Sequence, residues 1–393
     1  MTVSSGLDRL IAQEFSSLHG KSIGVVCHQA SVASDFRHIL DHLLPYHESG
    51  KLKIVAAFGP QHGIWGHTQD NMIEWEGYLD ARTGLRFFSL YGEHREPTPD
   101  TLNGVEELVF DVQDVGARYY TFIWTLANCL KACEPLGIPV TILDRPNPVN
   151  GIDFEGPGFE PEYESFVGLY PLAVRHGMTI GEVGTHLQAT HFPNMKVNVV
   201  RMERWSRAMY FDQTGLPWAI PSPNMPTADT ALVYPGKCLL EGTLLSEGRG
   251  TTRPFEIFGH PAIEPWSFCD AVNALQLPGV YLRPMFFQPT FQKHAEEICG
   301  GAFLHVTDRE HFRPVTTTVA ILHTLRSRFP DALEWRPPPY EYETVKLPFD
   351  ILSGGNWLRQ AIDDQAPLNH IKERIRAEGE ALRQSTTASL LYD

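Results

Sequence analysis

The sequence predicts an α/β protein with a parallel sheet in its first half and a second, smaller mixed α/β domain. Three observations predict it. Over residues 1–213, short apolar runs alternate with stretches whose apolar residues recur at helical spacing, the pattern of strand–helix–strand units. Several of those apolar runs stop abruptly in polar residues on a turn. From Thr214 onward the texture changes to proline- and glycine-rich loops and then to further helical stretches, which sets the second domain at 214–393. At 393 residues the chain has room for two domains.

Asp8 to Leu18 reads as a first helix and Ser22 to Cys27 as a first strand, ending at His28-Gln29. Phe36, Ile39, Leu40 and Leu43 share one helical face. Ile54 to Phe58 is the second strand, broken by Gly59-Pro60 and followed by Gln61-His62-Gly63. Arg86 to Tyr91 and Glu107 to Asp111 are two further strands. Ile123, Leu126, Ala127, Leu130 and Cys133 make one stripe of a long helix over Tyr119 to Leu136. Val140 to Leu143 is a buried strand closed by Asp144-Arg145-Pro146-Asn147-Pro148. Thr179 and Glu182 have capping-box spacing at the start of a helix over Ile180 to Leu187, and Val197 to Arg201 is one more strand. Pro217 to Pro226 is too rich in proline for regular structure, yet apolar enough to pack as an ordered loop. Beyond it, Ser267 to Leu275, Val315 to Phe329 and Ile371 to Leu382 read as helices.

The strand ends share a feature. Cys27-His28, Pro60-Gln61-His62, Asp111-Val112-Gln113-Asp114 and Asp144-Arg145 each set polar groups just past an apolar strand. In a parallel sheet such ends converge on one edge and line one crevice. His28, Gln61, His62, Asp111, Gln113, Asp114, Asp144 and Arg145 are therefore candidate site residues. The glycine-flanked Glu247 and Arg249, with Arg253, form a second candidate loop. Asn224 sits on the proline-fixed loop, where a rigid amide suits a ligand.

Composition narrows the classes of function. Lys plus Arg is 32 against 47 for Asp plus Glu, a net charge of -15 with no basic cluster, so nucleic acid is not an expected partner. No apolar run approaches the roughly 20 residues of a membrane helix. The first residues lack a basic and apolar leader, from which a cytoplasmic location is expected. Six cysteines without a CxxC pair suggest buried thiols rather than a disulfide framework.

No GxGxxG, GxSxG or HExxH string occurs, and His28, His62, His67 and His94 show no metal-ligand spacing. No metal or other cofactor is expected. What remains is a crevice of carboxylates, amides and arginines with Trp65, Trp75, Tyr119, Tyr120 and Trp218 nearby, which suits a sugar ring, and an anionic one if the arginine forks engage it.

Long strings carry a family resemblance. Phe58-Gly59-Pro60-Gln61-His62-Gly63, Ser89-Leu90-Tyr91-Gly92, Asp111 to Thr121, Leu143 to Pro148, Ser165-Phe166-Val167-Gly168, Arg175-His176-Gly177-Met178-Thr179, Ser222 to Thr227 and Glu241 to Pro254 all resemble the DUF1343 family. Its characterised members are exo-β-N-acetylmuramidases of the NamZ type. The resemblance implies a Rossmann-like first domain, a smaller second domain, and a site at their junction. It also implies removal of N-acetylmuramic acid from the non-reducing end of peptidoglycan fragments, so that the expected ligand is a small sugar or muropeptide. Arg118, Arg145, Arg175 and Arg249 become candidates for its lactyl carboxylate, with Tyr119 and His176 beside them.

One departure matters. Characterised members read Pro-Glu-His-Gly in the opening motif, and that glutamate is their proposed catalytic residue, whereas this chain has Gln61. An amide has no titratable proton and cannot be a general acid. Three expectations follow. A carboxylate of the same loop (Glu74 first, with Asp70 and Glu76) or Asp111 takes over beside Gln61 and His62. Alternatively, Gln61 orients the acetamido group in a substrate-assisted reaction. Or the protein binds a glycan without cleaving it, or acts on another linkage.

Overall fold

The computed structural model describes residues 2–69 and 72–393. The first half builds a seven-stranded sheet from β1 (Ser22–Cys27), β2 (Lys53–Gly59), β3 (Tyr78–Leu79), β4 (Arg86–Ser89), β5 (Glu107–Asp111), β6 (Val140–Leu143) and β7 (Val197–Val200). Their order is β3-β4-β2-β1-β5-β6-β7, all parallel except the short edge strand β3. Both faces are apolar because alternate residues leave the sheet on opposite sides. Val26, Phe58, Leu108 and Phe110 enter one core, whereas Val25, Cys27, Ala57 and Val109 enter the other.

Helices cover both faces. The helices α1 (Gly6–Ala12) and α2 (Ile39–Glu48) bring Leu7, Leu10, Ile39, Leu40 and Leu43 to the second core. On the other side, α3 (Phe122–Cys133) and α4 (Ile180–Thr190) contribute Ile123, Leu126, Leu130, Val183 and Leu187. The predicted capping box of α4 forms, with Thr179 accepting from the Glu182 amide and Glu182 from that of Thr179.

Most elements shift by a few residues from the sequence pattern, and two of the differences bear on the fold. The first helix stops at Ala12 because Glu14 and Phe15 take left-handed backbone angles (φ 51° and 55°), and a single turn over Ser16–Leu18 follows. Likewise α3 starts at Phe122 rather than Tyr119. Tyr119, Tyr120 and Thr121 thus stay on the approach to the helix.

After the short helix α5 (Phe211–Thr214), the second half holds α6 (Ala228–Lys237), β8 (Ile257–His260), α7 (Pro265–Asn273), β9 (Val280–Phe287), β10 (Cys299–Val306), α8 (Pro314–Arg328), α9 (Pro348–Ser353), α10 (Trp357–Asp363) and α11 (Leu368–Thr386). Its sheet is antiparallel, in the order β8-β10-β9. The sequence pattern contained neither these strands nor α6, whose start is capped by Thr227. The first core does not stop at the boundary: it runs without interruption from Val26 through Phe258 and Leu322 to Ile375. All six cysteines are buried and free. Among the described residues no helix is long and apolar enough to cross a membrane.

Candidate active site

The end of β2 is held tightly. A side chain at Gly59 would meet Ile64 and Trp75 at 2.7 Å, so only glycine lets the strand turn there. The Trp75 indole donates to the Pro60 carbonyl at 3.1 Å, and the Gly63 amide to the same carbonyl at 3.0 Å. His62 is left-handed (φ 72°), a costly conformation for a residue with a side chain, and such strain gathers at functional sites. Its Nδ1 lies 2.7 Å from the Thr68 carbonyl. A carbonyl can only accept, so Nδ1 carries the proton and Nε2 the lone pair. Burial holds the ring's pKa down at about 4, and His62 is neutral near pH 7.

Gln61 is fixed from both ends. The Thr121 hydroxyl donates to its Oε1 at 2.7 Å, and its Nε2 faces Glu341 Oε1 at 3.4 Å. These residues line a closed chamber at the junction of the two halves, with Tyr119, Tyr120, Ser222, Asn224, Glu241, Arg249 and Tyr340. Asn224 ties the proline-rich loop to the β2 loop by donating to the Gln69 carbonyl at 3.2 Å. Glu241 accepts from Arg249 at 2.7 Å and from the Tyr340 hydroxyl at 2.8 Å. The chamber's free volume is about 40 Å³, room for water but well below the roughly 300–1,000 Å³ of sites that enclose small ligands.

Glu341 also lines a second space, an open cleft of about 740 Å³ with Arg95, Lys131, Phe166, Tyr342 and Lys346 on its walls. It therefore stands between the chamber and the cleft. Its Oε2 accepts from the Tyr91 hydroxyl at 2.9 Å. Only 3% of the residue is exposed. Burial, with the charge of Glu241 adding to it, lifts its pKa to about 7 against the opposing Tyr91 and Gln61 hydrogen bonds and the Arg249 charge. Glu341 and Tyr342 are both left-handed (φ 43° and 71°), so strained backbone flanks the chamber on two sides.

Of the residues expected from the sequence, the structure brings Gln61, His62, Tyr119, Asn224 and Arg249 to the chamber. Glu247 stands just behind, bridging Arg249 at 3.2 Å and Lys293 at 2.9 Å. Arg249 thus already faces two carboxylates. The strand ends do converge, but most of their polar groups are spent on one another. Asp111 is fully buried and paired with Arg145 at 2.5 and 2.8 Å. Asp144 accepts from Thr179, the Gly181 amide and Tyr392. His28 lies between the Pro221 carbonyl and the Gln113 amide, and Gln113 donates to the Asp114 and Pro146 carbonyls. Asp114 accepts from the Gly116 amide and faces His176 at 3.2 Å. Arg118 donates to the carbonyls of Pro157, Gly158, Leu172 and Leu352. Arg175 meets Asp153 at 3.2 Å, and Arg253 faces Glu256 in a separate hollow.

Glu74 does not reach Gln61. Trp75 takes the buried position in that stretch, which leaves Glu74 and Glu76 exposed on another groove. Asp70 lies outside the described residues. Sequence reasoning missed Glu341, Tyr340, Tyr91, Thr121, Ser222 and Glu241 as site residues. A signal existed for two of them: Pro337-Pro338-Pro339-Tyr340-Glu341-Tyr342-Glu343 alternates aromatics with carboxylates directly after a stiff proline run. Among the described residues, no cluster of three His, Cys, Asp or Glu is placed to hold a metal ion.

Two family models match this chain. The model described as exo-β-N-acetylmuramidase NamZ, N-terminal, covers residues 23–229, and its C-terminal counterpart covers 232–392. Peptidoglycan β-N-acetylmuramidase NamZ of Bacillus subtilis (strain 168) is 42% identical over 369 residues, 94% of this chain and 86% of that protein. The crystal structures of two DUF1343 family proteins from Bacteroides fragilis superpose over 100% of this chain and 99% of each of theirs. Their TM-scores are 0.88 and 0.77, at 29% and 26% identity.

Proposed function

Because the chain belongs to the exo-β-N-acetylmuramidase NamZ family, we propose that it is a glycoside hydrolase. It cleaves the β-glycosidic bond of N-acetylmuramic acid at the non-reducing end of peptidoglycan fragments. The observation that carries this reading is the family match along both parts of the chain, 23–229 and 232–392, which meet at the chamber. The site's chemistry supports it. Amide and hydroxyl groups (Gln61, Thr121, Ser222, Asn224) beside aromatic rings suit a hydroxylated, acetamido-bearing ring. For the lactyl carboxylate, Arg95 on the open cleft is a better candidate than Arg118, Arg145 or Arg175, whose guanidinium groups are already engaged inside the fold. Its guanidinium lies over the Tyr342 ring at 3.3 Å, next to Glu341.

At about 40 Å³ the chamber must widen for a sugar ring to enter. The test is release of free N-acetylmuramic acid from muramyl-glucosamine disaccharide by the purified protein. Release at a steady rate is expected, and saturable binding without release would overturn hydrolysis in favour of a glycan-binding role. That second reading draws on Gln61, whose amide stands where the family's glutamate does. It predicts that Gln61→Glu gains hydrolysis from an inactive background.

A further inference from the structure

The geometry points to Glu341 as the general acid–base residue of this chain, doing the proton transfer that the Gln61 amide cannot; the inference rests on the muramidase reading above. Among the described residues, two carboxyl groups line the chamber, Glu241 and Glu341. Glu241 is tied to the Arg249 guanidinium and the Tyr340 hydroxyl. Among the described residues, Glu341 has no cation as a hydrogen-bond partner: one oxygen accepts from Tyr91 and the other faces the Gln61 amide. It lies on the wall shared by chamber and cleft, so it can reach a bond whose terminal sugar lies inside and whose leaving sugar lies outside.

The placement of this side chain is enforced. Two successive left-handed residues are expensive, and the surrounding structure maintains them. Tyr340 and Glu343 exchange backbone hydrogen bonds at 2.9 Å across the pair, and Tyr340 is anchored on Glu241. The Tyr91 hydroxyl that donates to Glu341 itself accepts from the Met72 amide at 2.9 Å, which orients it. Among the described residues, the groups facing the carboxyl are Tyr91, Gln61, Glu241 and Arg249, with the Tyr340 and Tyr342 hydroxyls beside it. With burial dominant among their effects, Glu341 holds its proton up to about pH 7, as a donor working at neutral pH requires.

The residue at 61 fits this arrangement. A glutamate there would set a second carboxyl against Glu341 and leave the pair sharing a proton. The Gln61 amide does not titrate, and with its Oε1 engaged by Thr121 its Nε2 donates toward the Glu341 oxygen, which leaves Glu341 as the titrating member. In the reaction, the carboxyl proton of Glu341 passes to the glycosidic oxygen as the bond from C1 to that oxygen breaks and its electron pair goes to the leaving sugar. Water then forms the new bond at C1 and returns a proton to the Glu341 carboxylate. One water is consumed and the acid is regenerated.

The experiment compares wild type and Glu341→Gln on muramyl-glucosamine disaccharide and on 4-nitrophenyl N-acetyl-β-muramide, whose leaving group departs without a proton. Loss of a general acid is expected to lower kcat on the disaccharide by about 10²–10⁴-fold, with a much smaller loss on the nitrophenyl substrate. In the wild type alone, kcat/KM on the disaccharide should fall as pH rises through about 7, while the nitrophenyl profile lacks that limb. This second measurement holds even if the variant does not fold. Equal losses on both substrates, or the same pH limb on both, would overturn the assignment as a merely structural effect. A wild type that cleaves neither substrate overturns the muramidase reading itself, and the assignment with it.

Discussion

Asp111 and Glu341 show how burial and partnership separate two carboxylates that end near the same sheet edge. Asp111 is matched by the Arg145 guanidinium in a bidentate pair, both residues inside the fold. Asp111→Asn would leave that guanidinium facing an amide and is expected to cost about 3–5 kcal/mol in denaturant unfolding. Retention of wild-type stability would show that the pair is dispensable. Burial raises the carboxyl pKa of both residues; at Asp111 the Arg145 guanidinium opposes the rise, whereas Glu341, buried beside a hydroxyl, an amide and a like charge, is pushed up to about 7. The sign follows directly. Between about pH 4.5 and 7 the folded state keeps this proton while the unfolded chain has lost it, so this group's contribution to stability declines as pH rises. Buried His62 and His38, both held down at about 4, act in the opposite direction below their ordinary value. The comparison with Glu341→Gln isolates the effect: wild type should lose stability relative to the variant between about pH 4.5 and 7 and level off above, measured by urea unfolding. A pH-independent difference would show that Glu341 does not titrate in that range.

At the level of elements, the site depends on where helices and strands begin and end. The late start of α3 frees Tyr119, Tyr120 and Thr121 to face the chamber, and Thr121 fixes Gln61. The start of α4 has a different duty. Thr179 caps it and also donates to Asp144 at 2.9 Å, so one hydroxyl joins the helix terminus to the end of β6. Thr179→Ala removes both bonds and is expected to cost about 1–2 kcal/mol, at the upper end for a cap because the Asp144 oxygen is left buried. Thermal unfolding measures it, and a change below about 0.5 kcal/mol would mean that neither bond contributes.

At the level of the whole molecule, the two parts share one core, which reaches from Val26 in β1 to Ile375 in α11. A core continuous across the junction couples the parts, so calorimetry is expected to give a single cooperative transition; two resolved transitions would show that the halves unfold separately. The amino-acid pattern by itself determined the parallel first sheet, the capping box at Thr179, the placement of Gln61-His62 on the turn that ends β2 and the family, because periodicity, caps and long strings are local properties of a chain. It also picked out the Glu247–Arg249 loop, though not that Arg249 is bracketed by two carboxylates. Only the tertiary structure decided which strand-end groups are spent in holding the sheet together and which face the chamber. A buried ion pair such as Asp111 with Arg145 looks the same in sequence as two free site residues. It also decided the partner of Gln61. Glu341 lies 280 residues away, and its raised pKa comes first from burial at the junction with the first half, with the charge of Glu241 from its own half adding to it.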